Sequence, residues 1–305
     1  MKLLFTNSGR RTYMIKYAIK ILKSKIFISD SENVVPTFYM KGIKKYITPK
    51  VEKNKKDYIK KLISIVKKVK IKKIIPLSDY DLLPLSENKF LFDRLNCDVI
   101  ISRPEIIKSC MNKKKMYFFC KENRINTPES FFSKNVKVKL PLVKKKLYGS
   151  GSLGLNFIKE KKEINKIDFK KFFLQKKIDG TEYGIDIFND PLKSLSRICI
   201  KKKLLMRSGE TDRCILVKDK KINIFAKKIL SVTNHYGNMD CDIIKDKRGK
   251  IYLIDLNPRF GGGYPSTHIS GMNFLKYILT NGKFFIPKNY KKLIVSKGIS
   301  IHSNK

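Results

Sequence analysis

The sequence lacks any apolar run long enough to cross a membrane, for which about 18 consecutive apolar residues are needed. The apolar start at residues 1–5 is also too short for a signal peptide, and the basic pair Arg10 and Arg11 follows closely. These absences argue against a membrane span and predict a soluble, cytoplasmic protein.

Cysteine and histidine are scarce, with six cysteines and three histidines among 305 residues. The cysteines form no C-x-x-C pair and lie in mostly apolar surroundings, which predicts reduced thiols in the core of an intracellular protein. The histidines do not have the spacing of metal ligands, so a zinc site is not expected.

Acidic residues are few: 26 Asp and Glu face 68 Lys and Arg, which gives a net charge of +42. Such a charge is typical of proteins that bind nucleic acids. Only ten of the basic residues are arginine, however, and the lysines are spread along the chain with abundant Ile and Asn. Since a dedicated nucleic-acid binder more often concentrates arginine and aromatic residues on one surface, no specific nucleic-acid partner is expected.

Strand-like and helix-like segments alternate along the first hundred residues. Apolar strands are predicted at residues 3–6, 25–29, 73–76 and 97–101, and helices at residues 14–22, 58–69 and 82–95. This alternation predicts a parallel α/β sheet, whose ligands bind beyond the carboxyl ends of the strands, here at residues 7–11, 30–32 and 78–81. The first of these loops is not a G-x-G-x-x-G motif, so NAD binding is not predicted.

A strand with polar residues at its end is predicted at residues 251–257. Strict alternation would place Leu253, Asp255 and Asn257 on one face. Asp255 and Asn257 would then present a carboxylate and a carboxamide side by side, both oxygen ligands of the kind that Mg²⁺ prefers. Arg259 follows as a planar cation suited to phosphate oxygens, and three consecutive glycines then allow the backbone to approach a ligand.

A preceding strand carries Asp240 and Asp242 on one face. The turn at residues 247–249 leads directly into the next strand, so the two strands are expected to form an antiparallel hairpin. That hairpin would bring Asp240 or Asp242 beside Asp255 and Asn257. The pattern alone leaves open which of the two aspartates is the partner.

A glycine-rich loop is predicted at residues 149–154, after a strand at residues 138–145. It has three glycines and two serines, whose N–H and hydroxyl groups can surround phosphate oxygens. It is not a Walker loop, because no G-K-[ST] ends it. A glycine-rich hairpin turn is the alternative interpretation.

The D-x-N-P-R segment at residues 255–259 and the glycine-rich loop resemble the ATP-grasp family, in its carbamoyl-phosphate-synthase-like single-chain form. Asp255 stands where that family usually has glutamate. The resemblance implies an α/β protein in which an N-terminal Rossmann-like pre-ATP-grasp domain precedes a two-subdomain ATP-grasp α+β fold. The implied ranges are 1–104 for the first domain and 105–305 for the second, with a lid subdomain at about 112–176 and a C-terminal subdomain at about 177–305.

The resemblance also implies an ATP site. Two lysines would contact phosphates, Lys113 on a helix and Lys145 before the loop, with their neighbours at 114–115 and at 144 and 146 as alternatives. Residues 175–178 would meet the adenine and Glu182 the ribose. The implied site comprises Lys113, Lys145, Gly149, Ser150, Gly151, Ser152, Gln175, Lys176, Ile178 and Glu182.

The remaining implied residues hold metal and substrate. Mg²⁺ (or Mn²⁺) would bind Asp242, Asp255 and Asn257, since Asp242 rather than Asp240 matches the family position. Catalytic roles fall to Asn257 and to two arginines, Arg207 in an R-x-G-E loop and Arg259. The N-terminal loops would contribute Arg10, Asp79 and Asp81 to substrate binding.

The implied activity is an ADP-forming carboxylate–amine ligase, or one with another nucleophile, working through an acyl-phosphate on small-molecule substrates. Two alternatives remain: a relative that binds nucleotide without catalysis, and a basic nucleic-acid-binding protein. The sequence does not determine the oligomeric state, and a homodimer is one alternative.

Overall fold

The computed structural model describes residues 1–22, 25–136, 139–149, 156–207 and 209–298. The first part of the chain alternates strands and helices. Its strands are β1 (Leu3–Thr6), β2 (Ile26–Asp30), β3 (Lys44–Ile47), β4 (Lys73–Pro76) and β5 (Asp98–Val99). Its helices are α1 (Thr12–Leu22), α2 (Lys55–Val69), α3 (Leu82–Glu87), α4 (Lys89–Asp93), α5 (Pro104–Met111) and α6 (Lys113–Glu122). The strands form one parallel sheet in the order β3-β2-β1-β4-β5, which confirms the predicted parallel α/β arrangement.

Two details of this part differ from the prediction. The edge strand β3 was not predicted, because its sequence Lys-Lys-Tyr-Ile is charged and mostly exposed, as suits the edge of a sheet. The helix predicted at residues 82–95 is two short helices separated at Asn88. The Asn88 side chain donates a hydrogen bond to the Pro84 carbonyl, and this capping contact marks the end of α3.

The central strand β1 is buried on both faces. Leu3 and Phe5 pack into one hydrophobic cluster and Leu4 into another on the opposite side, as period-2 alternation requires. The Leu3 cluster also contains Phe188 and Phe274 from the second part of the chain. The parallel sheet therefore packs directly against that second part.

The second part of the chain builds two antiparallel sheets. A four-stranded sheet in the order β6-β9-β7-β8 contains β6 (Ser130–Phe131), β7 (Leu142–Lys146), β8 (Asn156–Ile158) and β9 (Phe172–Lys176). A six-stranded sheet in the order β14-β13-β10-β11-β12-β15 contains β10 (Gly180–Asp190), β11 (Leu195–Arg207), β12 (Glu210–Leu216), β13 (Gly237–Asp246), β14 (Ile251–Asn257) and β15 (Ile294–Ser296). The helices are α7 (Lys161–Ile164), α8 (Lys220–Thr233), α9 (Tyr264–Ile269) and α10 (Phe274–Leu279).

One face of the six-stranded sheet is apolar. Ile185, Ile187 and Cys241 point to this side and pack with Ile222 and Ile229 of α8 in a single cluster that also receives α5 and α6. Helix α8 begins where the Asp219 side chain accepts a hydrogen bond from the Ile222 N–H. These helices cover this face, and Asp186, Asp240 and Asp242 lie on the opposite face.

A β-bulge in β14 changes which of its side chains share a face of the sheet. Asp242 lies opposite Asp255, but the next residue of β13, Ile243, lies opposite Leu253, so Ile254 is an extra residue. The bulge reverses the alternation. Leu253 packs in the apolar cluster, whereas Asp255 faces the opposite side together with Asn257. The prediction that Leu253 and Asp255 share a face was therefore wrong, although the predicted strand limits are those observed.

All six cysteines are buried free thiols, as their apolar surroundings predicted. Within the described ranges, no helix has the length and apolar character that a membrane crossing requires.

Candidate active site

Charged residues concentrate on the face of the six-stranded sheet opposite α5, α6 and α8, called the charged face below. Strand register places Asp242 opposite Asp255 and Asp240 opposite Asn257. Directly opposed residues have Cβ atoms about 4.5–5.5 Å apart, so these oxygens share one small region, as the hairpin prediction required. The charged face consists of Glu182 and Asp186 on β10, Lys201 and Lys203 on β11, Asp240 and Asp242 on β13, and Asp255 and Asn257 on β14.

Lysines from two other elements neutralise the paired carboxylates. Lys113 at the start of α6 forms an ion pair with Asp255, and the Lys203 ammonium lies 2.7 Å from Asp242 Oδ1. Lys203 reaches across β10 at Gly184, which has no side chain to block the path. Burial opposes the charge of Lys203, but the Asp242 carboxylate outweighs burial and raises the pKa of the lysine.

Lys145, on β7 of the four-stranded sheet, lies near the carboxylates of the charged face. Its ammonium donates to Gln175 Oε1 at 2.7 Å, and Gln175 is held in turn by the Ser130 hydroxyl at 3.0 Å. Burial lowers the pKa of Lys145, partly offset by the nearby carboxylates of the charged face. The neighbouring lysines point elsewhere: Lys144 lies over the Phe172 ring and Lys146 is exposed.

The beginning of α6 is joined to the end of β7. The Lys113 N–H donates to the Leu147 carbonyl at 2.9 Å, and the Asn112 side chain caps the helix by accepting from the Lys115 N–H. This link directs Lys113, rather than the exposed Lys114 and Lys115, toward Asp255. Among the predicted loop residues, Gly149 is exposed with a positive φ of 109°. Ser150, Gly151 and Ser152 lie outside the described residues.

The segment predicted to meet adenine and ribose begins in the last two residues of β9. The Lys176 side chain is exposed, and its N–H donates to the Glu129 carbonyl at 2.8 Å. Ile178 is half-buried. Glu182 is 55% exposed and lies 3.9 Å from the Lys203 ammonium at the end of the charged face.

Arg259 connects the second part of the chain to the parallel sheet. It is buried and forms a two-pronged ion pair with Asp79, with distances of 2.7 Å and 2.8 Å. Burial opposes the charge of Arg259, but Asp79 outweighs burial and raises the pKa of the guanidinium. The geometry thus pairs two residues that were predicted separately, one for catalysis and one for substrate.

The two remaining predicted arginines pair outside the charged face. Arg207 is half exposed and lies 3.0 Å from Asp212. Arg10 lies 3.0 Å from Glu210, the glutamate of the R-x-G-E loop.

Asp81 is fully buried and accepts a hydrogen bond from the Tyr58 hydroxyl at 2.9 Å. Its other carboxylate oxygen has no hydrogen-bond partner among the described residues. Burial raises the pKa of Asp81 to about 6. Although predicted to contact substrate, Asp81 lies beneath the surface of the parallel sheet's carboxyl edge.

A pH-dependent stability difference is expected for Asp81→Asn. Since the pKa of Asp81 is higher in the folded than in the unfolded protein, wild-type stability falls as pH rises from about 4 to about 6, then levels off. Two pKa units correspond to about 3 kcal/mol, so the variant should be more stable than wild type above pH 6 by up to about that amount. Urea unfolding between pH 4 and 7 measures the difference. Parallel curves for the two proteins would contradict this expectation, and Asp93→Asn, at an exposed aspartate, is the control.

The donor set of the charged face suits a hard divalent cation. Within the described residues, no group of three or more His, Cys, Asp and Glu side chains is arranged to hold a metal ion. The set instead combines the Asp242 and Asp255 carboxylates with the Asn257 amide oxygen, all hard ligands of the Mg²⁺ type. Both carboxylates carry a lysine counter-charge, which a divalent cation would replace.

Sequence reasoning missed the lysines of β11. Lys201 is fully buried and lies 2.5 Å from Asp186, which is also fully buried. The available signal was the spacing of Lys201 and Lys203, which puts both on the face opposite to Ile200. Lysine is so frequent throughout this chain that the signal did not stand out.

The chain thus joins an N-terminal parallel α/β unit to two antiparallel sheets, and lysines from separate elements face a pair of carboxylates. Two family models match the chain: a PylC-like N-terminal domain over residues 3–100 and an ATP-grasp domain over residues 110–263. The second match alone covers half of the chain. The protein belongs to the ATP-grasp family, which confirms the resemblance seen in the sequence.

An uncharacterized protein of Methanocaldococcus jannaschii is 28% identical over 202 residues, or 61% of this chain. The aligned region spans only half the length of that relative.

Solved structures share the fold at low identity. The L-amino acid ligase from Bacillus licheniformis has a TM-score of 0.73 at 17% identity, with 92% of this chain and 74% of the ligase covered. The biotin carboxylase domain of 2-oxoglutarate carboxylase from Hydrogenobacter thermophilus, in complex with MgADP, ADP and bicarbonate, has a TM-score of 0.70 at 14% identity, with 95% and 71% covered.

Proposed function

We propose that the protein is an ADP-forming ligase that uses ATP and Mg²⁺ to join a small-molecule carboxylate to an amine or a similar nucleophile. The observation that carries the proposal is the convergence of three oxygen ligands with lysines from separate elements. Asp242, Asp255 and Asn257 lie on one face, and Lys113 and Lys145 approach that face from α6 and β7.

In this proposal Asp242, Asp255 and Asn257 hold Mg²⁺, for which Mn²⁺ could substitute. When bound, the ion neutralises charge on the β- and γ-phosphates of ATP. Lys113 and Lys203, which now balance the carboxylates, are positioned to turn toward phosphate oxygens once the cation takes over that role.

Lys145, the glycine- and serine-rich sequence from Gly149 to Ser152, and Glu182 would hold the nucleotide itself. Lys145 is already desolvated, so its interaction with a phosphate is strengthened by the low local dielectric. Gln175 fixes the ammonium in the direction of the charged face. Residues 175–178 would offer backbone groups to the adenine.

The chemistry would proceed in two transfers. A carboxylate oxygen of the substrate attacks the γ-phosphorus, the bond from that phosphorus to the ADP oxygen breaks, and an acyl-phosphate forms. The nucleophile then attacks the acyl carbon, phosphate leaves, and the amine loses a proton. Arg259, held by Asp79, would place a guanidinium near the transferring group. Arg207 would add a second one by leaving Asp212 and turning toward the charged face.

Two solved neighbours support the substrate class and the nucleotide. One solved neighbour is named as an L-amino acid ligase and another is complexed with MgADP and bicarbonate. At these identities they share the fold, so an amine and a carboxylate as substrates are a proposal for this chain.

The decisive experiment measures ADP release from Mg²⁺-ATP with pairs drawn from a library of small carboxylates and amines. At least one pair should raise ADP release well above the level seen with ATP alone. ATP binding without stimulation by any pair would instead favour a nucleotide-binding relative that has lost catalysis. Steeply salt-dependent binding of nucleic acid without ADP release would favour a basic nucleic-acid-binding protein.

Lys145→Ala should raise the KM for ATP by about 10–100-fold, because one buried charge-assisted contact to phosphate contributes about 1.5–3 kcal/mol. Lys144→Ala is the matched control, since its ammonium lies over the Phe172 ring and away from the charged face. Initial rates at varied ATP concentration measure both variants. Equal KM values for the two variants would remove Lys145 from the proposed site.

A further inference from the structure

Three cations from distant segments surround one carboxylate beside the charged face. The Glu210 carboxylate lies 3.0 Å from Arg10, 3.4 Å from Arg11 and 3.3 Å from Lys297. Arg10 and Arg11 come from the loop after β1, Glu210 begins β12, and Lys297 follows β15. The cluster therefore carries two positive charges in excess of its own anion.

The position of this cluster is fixed by the consecutive glycines. A side chain at Gly261 would overlap the Asp240 carboxylate, and one at Gly262 would overlap the Glu210 carboxylate. Lys297 also donates to the Gly262 carbonyl at 3.1 Å. Asp240 belongs to the charged face, and adjacent Cα atoms are about 3.8 Å apart. The cationic cluster therefore borders the region in which the carboxylate would be activated.

The cluster is built to hold an anion. Burial alone would raise the pKa of Glu210, but Arg11, Lys297 and Arg10 outweigh burial and lower it, so Glu210 stays charged. Arg10 is 60% exposed and directs Nη2 to Glu210. Its guanidinium has five N–H donors, and the hydrogen bond to Glu210 uses one of them.

We propose that Arg10, Arg11 and Lys297 bind a second anionic group of the acid substrate, so that the preferred substrates are acids with two negative charges. One group is activated at the charged face, and the other shares the cations with Glu210 or displaces its carboxylate. An ammonium group would fit poorly, because it would meet three cations before reaching Glu210. The inference rests on the proposed function for the identity of the ligand as the substrate.

Matched acids that differ by one charge test the proposal without turnover. Isothermal titration of the full chain with Mg²⁺-ADP present would compare succinate with succinamate, glutarate with glutaramate, and L-glutamate with L-glutamine. For at least one pair, the wild-type protein should bind the more negative member about tenfold more tightly, as expected for one added charge-assisted contact. That preference should weaken as the salt concentration is raised.

Two variants should move the preference in opposite directions. Arg10→Gln should reduce it to about twofold or less, whereas Glu210→Gln should increase affinity for the more negative acid, since the competing anion is removed. Arg248→Gln, at an exposed arginine in the turn between β13 and β14, should match wild type. Melting temperatures of all variants show whether each remains folded.

Three results would overturn the inference: no preference in wild type for any pair, a preference that survives Arg10→Gln, or weaker binding of L-glutamate by Glu210→Gln. The last result would identify Glu210 as a receptor for the substrate ammonium. Because these titrations need no catalysis, failure of the ligase proposal is recognised separately. In that case ADP release stays at background with every pair, while the binding preference is still present.

Discussion

Asp255→Asn is expected to lower Mg²⁺-ATP-dependent ADP release by about 10²–10³-fold, the range seen when one group that stabilises transition-state charge is removed. The amide keeps the shape of the carboxylate but loses the charge that would attract a divalent cation. Asp255 lies on the charged face, outside the apolar cluster that holds β14 in place, so the fold should be retained. Initial rates at saturating ATP and a range of Mg²⁺ concentrations provide the measurement.

The matched control for this experiment is Asp93→Asn. Asp93 forms an exposed ion pair with Lys89 one helical turn away, at 2.6 Å, and should affect neither rate nor metal dependence. If Asp255→Asn retains a wild-type rate and the same Mg²⁺ requirement, the metal-binding role assigned to the charged face is wrong. Asp240→Asn provides a second comparison, since the sequence pattern left Asp240 and Asp242 as alternatives.

The limits of the strand at residues 251–257 could be predicted from the sequence, because Pro258 cannot continue a central strand and the glycines after it favour a turn. The face of the sheet on which Leu253 lies could not be predicted. It depends on the bulge at Ile254, which gives β14 one residue more than β13 at that point. The outer edge of β14 is held at Leu253 by hydrogen bonds with Asn126 and Thr127. Such a contact between residues far apart in sequence leaves no local pattern.

Which charged residues form ion pairs with each other could not be predicted from local sequence patterns either. Asp79 and Asp81 lie two residues apart in one predicted loop, yet Asp79 pairs with Arg259 and Asp81 is buried under Tyr58. Glu210 was predicted within a loop motif, but its partner Arg10 lies 200 residues earlier. Sequence motifs identified which residues carry charge chemistry, whereas the packing of the two sheets decides which of them meet.

Asp186 and Lys201 form a buried ion pair that local sequence patterns did not predict either. Asp186 Oδ2 accepts from Lys201 at 2.5 Å and from the Thr267 hydroxyl at 2.5 Å, and Oδ1 accepts from Asn238 at 3.1 Å. Burial opposes the charge of Lys201, but Asp186 and Asp240 together outweigh burial and raise the pKa of the lysine, so the lysine stays charged. The Lys201 ammonium also lies against Gly263, the last residue of the glycine run. The pair thus supports the region that contains Arg259 and the proposed metal ligands.

Lys201→Met should destabilise the protein by about 3–5 kcal/mol, because it leaves the Asp186 charge buried with only neutral donors. In a chain of 305 residues that loss lowers the melting temperature by about 5–8 °C, measurable by circular dichroism. The double variant Lys201→Met/Asp186→Leu should recover most of the loss, since both charges are then gone. Lys89→Met, which breaks an exposed pair, should change stability by less than about 1 kcal/mol. A Lys201→Met protein as stable as Lys89→Met would show that the buried pair does not support the site.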